Sequence, residues 1–203
     1  MQAPSDHLLR TMAAVPITSY ILDLGCGEGR HTEPLLRLGF PVHGCDPRPG
    51  AVQTARERVT SIVGEEDAQT CVQVVSLDEM EYPDEAFDWV IAYHAEVLAQ
   101  TPGELHALLS RTRRMLKPGG WTYVSVPASE ADIEEQERTS GDGAPASAPV
   151  DTEATSSPFT IDVLTEQQRR ANLAMASAPE VVKEHGAFRT RAIFRRVEPQ
   201  TPA

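Results

Sequence analysis

Cysteine is scarce in this chain of 203 residues, which contains only Cys26, Cys45 and Cys71. An odd number of widely spaced cysteines fits neither a disulfide framework nor the paired, close spacing of a structural zinc site. We therefore expect reduced thiols and no bound metal. Small residues of this kind pack readily in a protein interior.

Long apolar stretches are missing as well. No run approaches the roughly 20 residues that a membrane span requires, and the first residues lack the basic-then-apolar pattern of a signal peptide. These absences predict a cytoplasmic protein with no membrane partner. The hydrophobic content of 40% is ordinary, and 203 residues suffice for one domain with a full core.

Basic residues are outnumbered, because 18 lysines and arginines face 30 aspartates and glutamates, which gives a formal net charge of −12. Affinity for a phosphate backbone comes chiefly from lysine and arginine clusters, so this balance argues against a nucleic-acid partner. Between Glu65 and Asp88 stand nine acidic residues and no basic one. We interpret this run as a solvated surface; an acidic rim that favours neutral or cationic substrates is the alternative.

Glycine is concentrated in the sequence YILDLGCGEGRH, where an apolar run closes on Asp23 and opens into Gly25, Gly27 and Gly29. Glycine has no Cβ, so a turn built from it bends tightly and brings its backbone N–H groups against a ligand. The helix that follows points its positive end at the same ligand. The pattern predicts a site for a molecule that carries a carboxylate or a phosphate.

Two sequence features indicate which kind of nucleotide ligand the turn binds. A dinucleotide fingerprint requires a third glycine where this chain has Arg30, which argues against a nicotinamide-linked oxidoreductase. The next predicted strand, Phe40–Cys45, ends at Asp46, and an ionised carboxylate suits a ribose diol because it accepts two hydrogen bonds side by side. The alternative is an ordinary turn aspartate before Pro47. With the glycine turn in front of it, we favour the ribose.

The glycine turn Asp23–Gly29 resembles motif I of the class I S-adenosylmethionine-dependent methyltransferases. Tyr82–Ile91 (YPDEAFDWVI) resembles the family segment that leads into the fourth strand, and Leu116–Gly120 (LKPGG) resembles the turn before the fifth. Together these pieces span Ile21 to about Pro127, in the family's order. The resemblance implies an α/β fold, with a Rossmann-like, doubly wound sheet of seven strands, mostly parallel with an antiparallel C-terminal hairpin.

The same resemblance implies S-adenosyl-L-methionine as the cofactor and S-adenosyl-L-homocysteine as its product. The turn wraps the methionine end, and Asp46 binds the ribose. Many relatives end the third strand in an acidic residue near the adenine amino group, and the aligned position here is Ser76, with Leu77 and Asp78 as alternative partners. The cofactor residues implied in this way are Asp23, Gly25, Cys26, Gly27, Gly29, Asp46, Pro47, Ser76, Leu77, Asp78 and Tyr93.

The candidates for chemistry follow the predicted fourth strand, at Tyr93 and His94. A histidine there takes a proton from a hydroxyl or an amine near neutral pH, and Tyr93 could line the sulfonium site. The alternative for His94 is a residue that packs in the cofactor pocket, and His31 is a further residue expected to face the crevice. Much of the catalysis can come from alignment alone, so the resemblance requires no dedicated base.

A small-molecule methyltransferase is the leading interpretation. A protein, thiol or metalloid methyltransferase and a non-catalytic cofactor-binding regulator stay open as alternatives, and the sequence leaves the acceptor and the oligomeric state undetermined.

The chain divides into a cofactor-binding core over residues 1–127, an acidic low-complexity insertion over 128–158, and a C-terminal helix and hairpin over 159–203. Residues 129–138 are expected to form a short helix, whereas about 139–157 lack the apolar residues needed to order them. The insertion leaves from the active-site side of the sheet, where it serves either as a lid or as a flexible linker.

Periodicity and turn signals predict the remaining elements. Helices are expected through Leu8, Leu9 and Met12, through Leu35, Leu36 and Leu38, over Gly50–Ile62, from a capping box at Thr101 and Glu104, and over Asp162–Met175; strands are expected over Cys71–Ser76, Trp121–Val126, Glu180–Glu184 and Thr190–Val197. The last strand carries Arg189, Arg191, Arg195 and Arg196 on it or beside it, which suggests either an anion site or charges that protect a sheet edge.

Overall fold

In the computed structural model, which describes residues 3–76, 78–139 and 157–197, helices lie between most pairs of successive strands. The helices are α1 (Asp6–Ala13), α2 (Thr32–Arg37), α3 (Pro49–Val63), α4 (Glu65–Cys71), α5 (Pro102–Met115), α6 (Glu130–Thr139) and α7 (Ile161–Arg170), with a short 3₁₀ turn at Ala95–Val97. The strands are β1 (Ile21–Leu24), β2 (Val42–Asp46), β3 (Val72–Val74), β4 (Phe87–Ala92), β5 (Leu116–Pro127), β6 (Leu173–Glu184) and β7 (Ala187–Arg196).

One sheet of seven strands organises the molecule, in the order β3-β2-β1-β4-β5-β7-β6. Strands β1 to β5 pair in parallel, and β7 pairs antiparallel with both β5 and β6. The predicted fold class is therefore confirmed. Because the strand order reverses between β1 and β4, a crevice opens at the carboxyl ends of these two strands, where α/β sheets of this kind bind their ligands.

Both faces of the sheet are covered, which explains why all four residues of β1 are buried. On one face Leu22 and Val90 pack in a cluster with residues of α5 and α7. On the other face Ile21 and Ile91 pack with residues of α1 and α2. Neighbouring residues of one strand thus serve opposite layers, as the alternation of side chains along a strand requires.

The predicted capping box of α5 is confirmed. The Thr101 hydroxyl accepts a hydrogen bond from the Glu104 N–H at 3.2 Å, and the Glu104 carboxylate accepts one from the Thr101 N–H at 3.2 Å. Two N–H groups that would lack intrahelical partners are thereby satisfied. The helix ends at Met115, before the Lys117–Gly120 segment, as its sequence indicates.

The C-terminal helix is shorter than predicted. It ends at Arg170 instead of Met175, because Asn172 adopts a left-handed backbone with φ 53°, which a right-handed helix cannot contain. Met175 lies in β6, so the predicted strand Glu180–Glu184 is the second half of a much longer one.

Two smaller expectations near the first half of the sheet are wrong. Cys71 belongs to α4, and the third strand covers only Val72–Val74 instead of Cys71–Ser76. Leu38 does not face the sheet, because α2 ends at Arg37 and leaves this side chain 52% exposed, whereas Leu35 is fully buried.

Strand β7 is not an edge strand, so its arginines do not protect an edge. It lies between β5 and β6, and Arg189 and Arg196 are buried. Arg196 binds the Glu85 carboxylate at 2.7 Å, and Arg191 binds that of Glu180 at 2.8 Å. These side chains join elements of the fold, which also argues against the predicted anion site.

The insertion after β5 begins with the expected helix, observed as Glu130–Thr139. Residues 140–156 lie outside the described part of the chain, so the division at 128–158 and the expected lack of order stay predictions. On the far side of the insertion, the Ser157 hydroxyl donates to the Pro127 carbonyl at 2.8 Å. In residues 3–76, 78–139 and 157–197, no helix has the length and apolar character to cross a bilayer.

Candidate active site

The glycine turn after β1 has the backbone conformation that its sequence predicts. Gly25, Gly27 and Gly29 have φ values of 69°, 56° and 80°, in the left-handed region that other residues enter at a cost. The N–H groups of Gly25 and Cys26 donate to the Cys45 carbonyl at 2.8 and 3.0 Å, which ties the turn to the end of β2.

Asp46 joins this turn to the second strand. Its buried carboxylate accepts hydrogen bonds from the Gly27 N–H at 3.0 Å and from the Arg48 N–H at 2.9 Å. The Arg48 guanidinium adds two more, at 2.8 and 2.9 Å. Burial alone raises the pKa of this carboxyl, but the hydrogen bonds from Arg48 and Gly27 outweigh it and hold the pKa below its ordinary value. Asp46 is therefore a charged acceptor beside the turn.

Asp23 lies beneath the turn. Its buried carboxylate accepts a hydrogen bond of 2.7 Å from the hydroxyl of Thr32, the first residue of α2. Burial raises the pKa of Asp23 to about 6. The structure thus gives Asp23 an anchoring contact that fixes where the helix starts.

A cavity of about 320 Å³ opens between the glycine turn and the end of β4. It is lined by Gly25, Cys26, Gly27, Glu28, Arg30, His31, Arg48, Arg58, Tyr93, His94 and Val97. Five of the residues named from the sequence as cofactor or catalytic candidates line it: Gly25, Cys26, Gly27, Tyr93 and His94. His31 also lines it, which confirms the expectation that this side chain faces the crevice.

Other predicted cofactor residues lie outside this lining. Asp46 accepts a hydrogen bond from Gly27, which lines the cavity, but does not line the cavity itself. Gly29 packs against Ala55 of α3, where an added Cβ would stand 3.2 Å from the Ala55 Cβ. Pro47 precedes Arg48 at the same edge.

Two of the predicted adenine contacts, Ser76 and Asp78, are also absent from the cavity lining. The Ser76 hydroxyl donates to the Glu79 carboxylate at 2.8 Å. The Asp78 side chain is 96% exposed and lies 3.4 Å from Arg111. Leu77 falls outside the described residues. The adenine contacts therefore stay a prediction.

Tyr93 forms a wall of the cavity with its ring, between two cations. The guanidinium carbons of Arg30 and Arg189 lie 4.7 and 5.3 Å from the ring centroid, within the range of cation–π attraction. Its hydroxyl donates to the Glu184 carboxylate of β6. Burial, together with that carboxylate, raises the pKa of Tyr93 to about 12, so the ring stays neutral at physiological pH.

His94 has a defined hydrogen bond at each ring nitrogen. Nε2 lies 2.9 Å from Nη2 of Arg30, and Nδ1 lies 2.9 Å from Oε1 of Glu96. A guanidinium has donors only, so Nε2 must be the accepting nitrogen and neutral His94 carries its proton on Nδ1. That proton is donated to Glu96.

Two further residues belong to this cluster: the sequence did not single out Glu96, and it did not connect Arg189 with this site. The Glu96 carboxylate accepts hydrogen bonds from Arg189 at 2.9 to 3.2 Å. Burial raises the pKa of Glu96, but the hydrogen bonds from His94 and Arg189 outweigh it and leave the pKa below its ordinary value. The only local sequence feature that points to Glu96 is its position two residues after His94. Arg189 lies in β7, far along the chain, so its sequence context gives no such indication.

The start of the first helix is hydrogen-bonded to a residue that lines the cavity. The Ser5 N–H, just before α1, donates to Nε2 of His31 at 3.1 Å, and both residues are buried. Burial, with the positive charge of Arg30, keeps the pKa of His31 well below its ordinary value, so this ring is a neutral acceptor. The position of α1 is therefore fixed by a residue that lines the site.

The cysteines are free thiols, as predicted. Cys26 and Cys45 are buried, and burial raises the pKa of both, in the case of Cys45 to about 12. No group of three or more His, Cys, Asp or Glu side chains in the described ranges could hold a metal ion.

Known proteins resemble the chain over its first two thirds. Residues 21–120 match the family model described as a methyltransferase domain. The human mitochondrial ubiquinone biosynthesis O-methyltransferase is 39% identical over 127 residues, which cover 60% of this chain and 33% of that protein. A trans-aconitate 2-methyltransferase of Methylobacterium nodulans is 33% identical over 126 residues, which cover 61% of this chain and 43% of that protein. The chain thus spans less than half the length of these curated relatives.

A solved structure extends the likeness to nearly the whole chain. A SAM-dependent methyltransferase from Methanosarcina mazei has a TM-score of 0.70 and 16% identity, and the match covers 96% of this chain and 99% of that one. At this identity the comparison concerns the fold alone. The matched domain, the curated relatives and the fold agree, and the chain belongs to the class I S-adenosylmethionine-dependent methyltransferase family.

Proposed function

We propose that this protein binds S-adenosylmethionine and transfers its methyl group to an oxygen atom of a small molecule. The observation that carries the proposal is the meeting of the glycine turn, Asp46 and His94 around one cavity at the point where the strand order reverses. The names of the two curated relatives support a small acceptor, because one is an O-methyltransferase of ubiquinone biosynthesis and the other is a trans-aconitate methyltransferase.

The glycine turn and Asp46 are the residues that would hold the cofactor. Gly25 and Gly27 let the backbone approach the amino-acid end without a Cβ in the way, and the charged Asp46 offers its carboxylate to the ribose diol. When bound, the cofactor supplies an electrophilic methyl group on a sulfonium.

The acceptor would enter beside Tyr93 and His94. The whole cavity, which includes the glycine turn, has a volume of about 320 Å³, at the lower end of the ~300 to 1,000 Å³ typical of ligand sites. Alignment of the acceptor with the methyl group supplies much of the rate, and His94 removes a proton from the attacking atom at Nε2.

Calorimetric titration followed by turnover assays tests this function. We expect S-adenosylmethionine and S-adenosylhomocysteine to bind, and NAD to bind more weakly than either. A panel of small hydroxyl, carboxylate, amine and thiol acceptors, with mass detection of methylated products, then examines the transfer. Tighter binding of NAD, or the absence of binding at saturating concentration, would overturn the proposal.

A non-catalytic cofactor-binding protein is the second candidate, and one observation favours it. Arg48 already satisfies much of the Asp46 carboxylate, so the predicted ribose ligand is shared with the protein itself. Binding without turnover over the whole panel is the result expected for that candidate. A protein, a thiol or a metalloid as acceptor would instead give turnover with those substrates and none with small hydroxyl or carboxylate compounds.

A further inference from the structure

A buried arginine reaches the carboxyl ends of the strands that form the site. Arg189 is 7% exposed, and its Nε donates to the Ser125 hydroxyl of β5 at 2.9 Å. Its Nη2 donates to the Tyr93 carbonyl at 3.0 Å and to the Glu96 carboxylate at 2.9 Å. One guanidinium from β7 thus fixes the end of β4, the end of β5 and the turn that carries Glu96.

Arg189 holds these elements together through Ser125 and the Tyr93 carbonyl, but its buried ion pair with Glu96 is not in itself evidence of added stability. Two charges removed from water lose solvation that their attraction repays only in good geometry, and apolar residues of similar volume often stabilise a core as well. Here the pair lies beside the side chain of His94, at the edge of the cavity. Its position indicates a role in the site.

The donor and acceptor roles of Arg189, Glu96 and His94 are fixed by their chemistry. Arg189 can only donate to Glu96, so both Glu96 oxygens act as acceptors, and one of them receives the Nδ1–H of His94. The lone pair of the imidazole is thereby placed on Nε2, the nitrogen that accepts from Arg30. A base aimed into the cavity requires this tautomer.

We propose that Glu96 and Arg189 are positioning residues that hold His94 as the base for a hydroxyl acceptor, a phenol or an enol. The inference rests on the proposed function and narrows its substrate class. In the transfer, the O–H proton passes to Nε2 of His94, and the oxygen lone pair forms the bond to the methyl carbon. The carbon–sulfur bond breaks with its electron pair left on sulfur, which turns the sulfonium into a neutral thioether, and the His94 proton then leaves to water.

A base is needed only when the acceptor must lose a proton, and this requirement indicates the class of acceptor. A carboxylate is already ionised at neutral pH and attacks without losing a proton, whereas a phenol, with a pKa of about 10, must be deprotonated. The hydroxyl takes over, at Nε2, the hydrogen bond that Arg30 makes there. A histidine base held by a glutamate and a buried arginine therefore serves a phenol acceptor, whereas a carboxylate acceptor does not need it.

The groups that face His94 come from several elements. Arg30 lies on the turn after β1, Glu96 on the 3₁₀ turn, and the rings of Tyr93 and His31 lie on the cavity wall. Arg189 acts from β7 through Glu96. Glu96 is the carboxylate in hydrogen-bond contact with the imidazole, so its neutralisation disfavours the protonated ring.

Three variants of the full chain separate the possibilities. His94→Gln removes the base, and Glu96→Gln removes its anionic partner. Glu180→Gln breaks a carboxylate–arginine pair on the hairpin, Glu180 to Arg191, outside the cluster, and is the matched control. Titration with S-adenosylmethionine shows first whether each variant still binds the cofactor. If the unaltered chain does not bind S-adenosylmethionine, the proposed function is wrong. If only Glu96→Gln fails to bind it, Glu96 has a structural role and does not position the base.

Nuclear magnetic resonance of the histidine nitrogens tests the tautomer without any acceptor. We expect the signal that disappears in His94→Gln to show a protonated Nδ1 in the unaltered chain and in Glu180→Gln, and a weaker preference for that tautomer in Glu96→Gln, where Arg30 still donates to Nε2. A protonated Nε2 in the unaltered chain would overturn the inference.

Turnover against pH tests the base and the acceptor class together. The probes are catechol and phenol as hydroxyl acceptors, and benzoate and fumarate as carboxylates. We expect methylation of hydroxyl probes alone, a loss of about 10²- to 10⁴-fold in kcat for His94→Gln, and an acid limb that moves to lower pH in Glu96→Gln. Methylation of carboxylates alone, absence of turnover with every hydroxyl probe, or an unmoved acid limb would each refute the assignment.

Discussion

Arg48 holds Asp46 in a two-pronged ion pair, with its Nε 2.8 Å from Oδ1 and its Nη2 2.9 Å from Oδ2. Asp46 is the carboxylate that the sequence assigns to the cofactor ribose. The protein therefore supplies a cationic partner to the same oxygens that a diol would use, and any ligand there shares them with Arg48 or displaces it.

Replacement of Arg48 by Met is expected to tighten cofactor binding by up to about fivefold. The arginine is 58% exposed, and ion pairs of that exposure contribute about 0.2 to 1 kcal/mol, which is what displacement of the guanidinium costs. Calorimetric titration with S-adenosylmethionine measures the change, and Arg37→Met, which breaks the exposed pair with Glu33, is the control. Weaker binding in Arg48→Met would mean that the guanidinium itself contacts the cofactor.

Asp46→Ala is expected to weaken binding by about 1.5 to 3 kcal/mol, the range for hydrogen bonds to a charged group. Titration of S-adenosylhomocysteine into the variant gives this value directly. Asp84→Ala, which removes an exposed carboxylate paired with Arg114, should leave the affinity unchanged. An equal affinity in Asp46→Ala would mean that the ribose lies elsewhere.

Gly27→Val places a branched side chain in the cavity and should abolish cofactor binding. An added Cβ at Gly27 would stand 3.4 Å from the Arg48 guanidinium, and the left-handed φ of 56° adds backbone strain. Gly39→Val is the matched control, because Gly39 also has a positive φ, of 96°, and no atom within 4 Å of an added Cβ.

Thermal unfolding of both glycine variants distinguishes strain from blockage of the site. Both should lower Tm, since both force a branched residue into the left-handed region. Only Gly27→Val should lose affinity. Unchanged affinity in that variant would refute the role of the turn.

The buried Asp23 should make stability fall between pH 4 and pH 6. In the unfolded chain this carboxyl loses its proton near its ordinary pKa, whereas in the folded protein it keeps the proton up to about pH 6. Between these values the folded state binds more protons, so the free energy of unfolding decreases as pH rises.

Urea unfolding at several pH values, compared with Asp23→Asn, measures this effect. Relative to the variant, the unaltered chain should lose about 2 kcal/mol of unfolding free energy between pH 4 and pH 7. A difference independent of pH would show that the pKa of Asp23 is the same in the folded and the unfolded chain.

Much of the site could be predicted because it depends on local rules. Gly25 and Gly27 are required by the left-handed backbone of the turn. Asp46 is the last residue of β2 and His94 stands two residues after the end of β4, and the carboxyl ends of these strands lie at one edge of the sheet. Parallel pairing then brings them together. The sheet of seven strands, with its antiparallel hairpin, was implied by the family resemblance, and it is observed as predicted.

The residues that sequence reasoning missed depend on distant contacts. Glu96 and Arg189 are 93 positions apart, and their contact exists only because β7 enters the sheet next to β5. The arginines of β7 suggested an edge for the same reason, since a strand's place in the sheet is not written in its own composition. The early end of α7 depends on the backbone of Asn172, a tertiary preference that helical spacing does not reveal.

The contact between Pro127 and Ser157 pins the two stems of the acidic segment to one spot at the rim of the crevice. The number of residues between Pro127 and Ser157 therefore does not affect the register of the strands. Residues can be added, removed or replaced there during evolution without any repacking of the core.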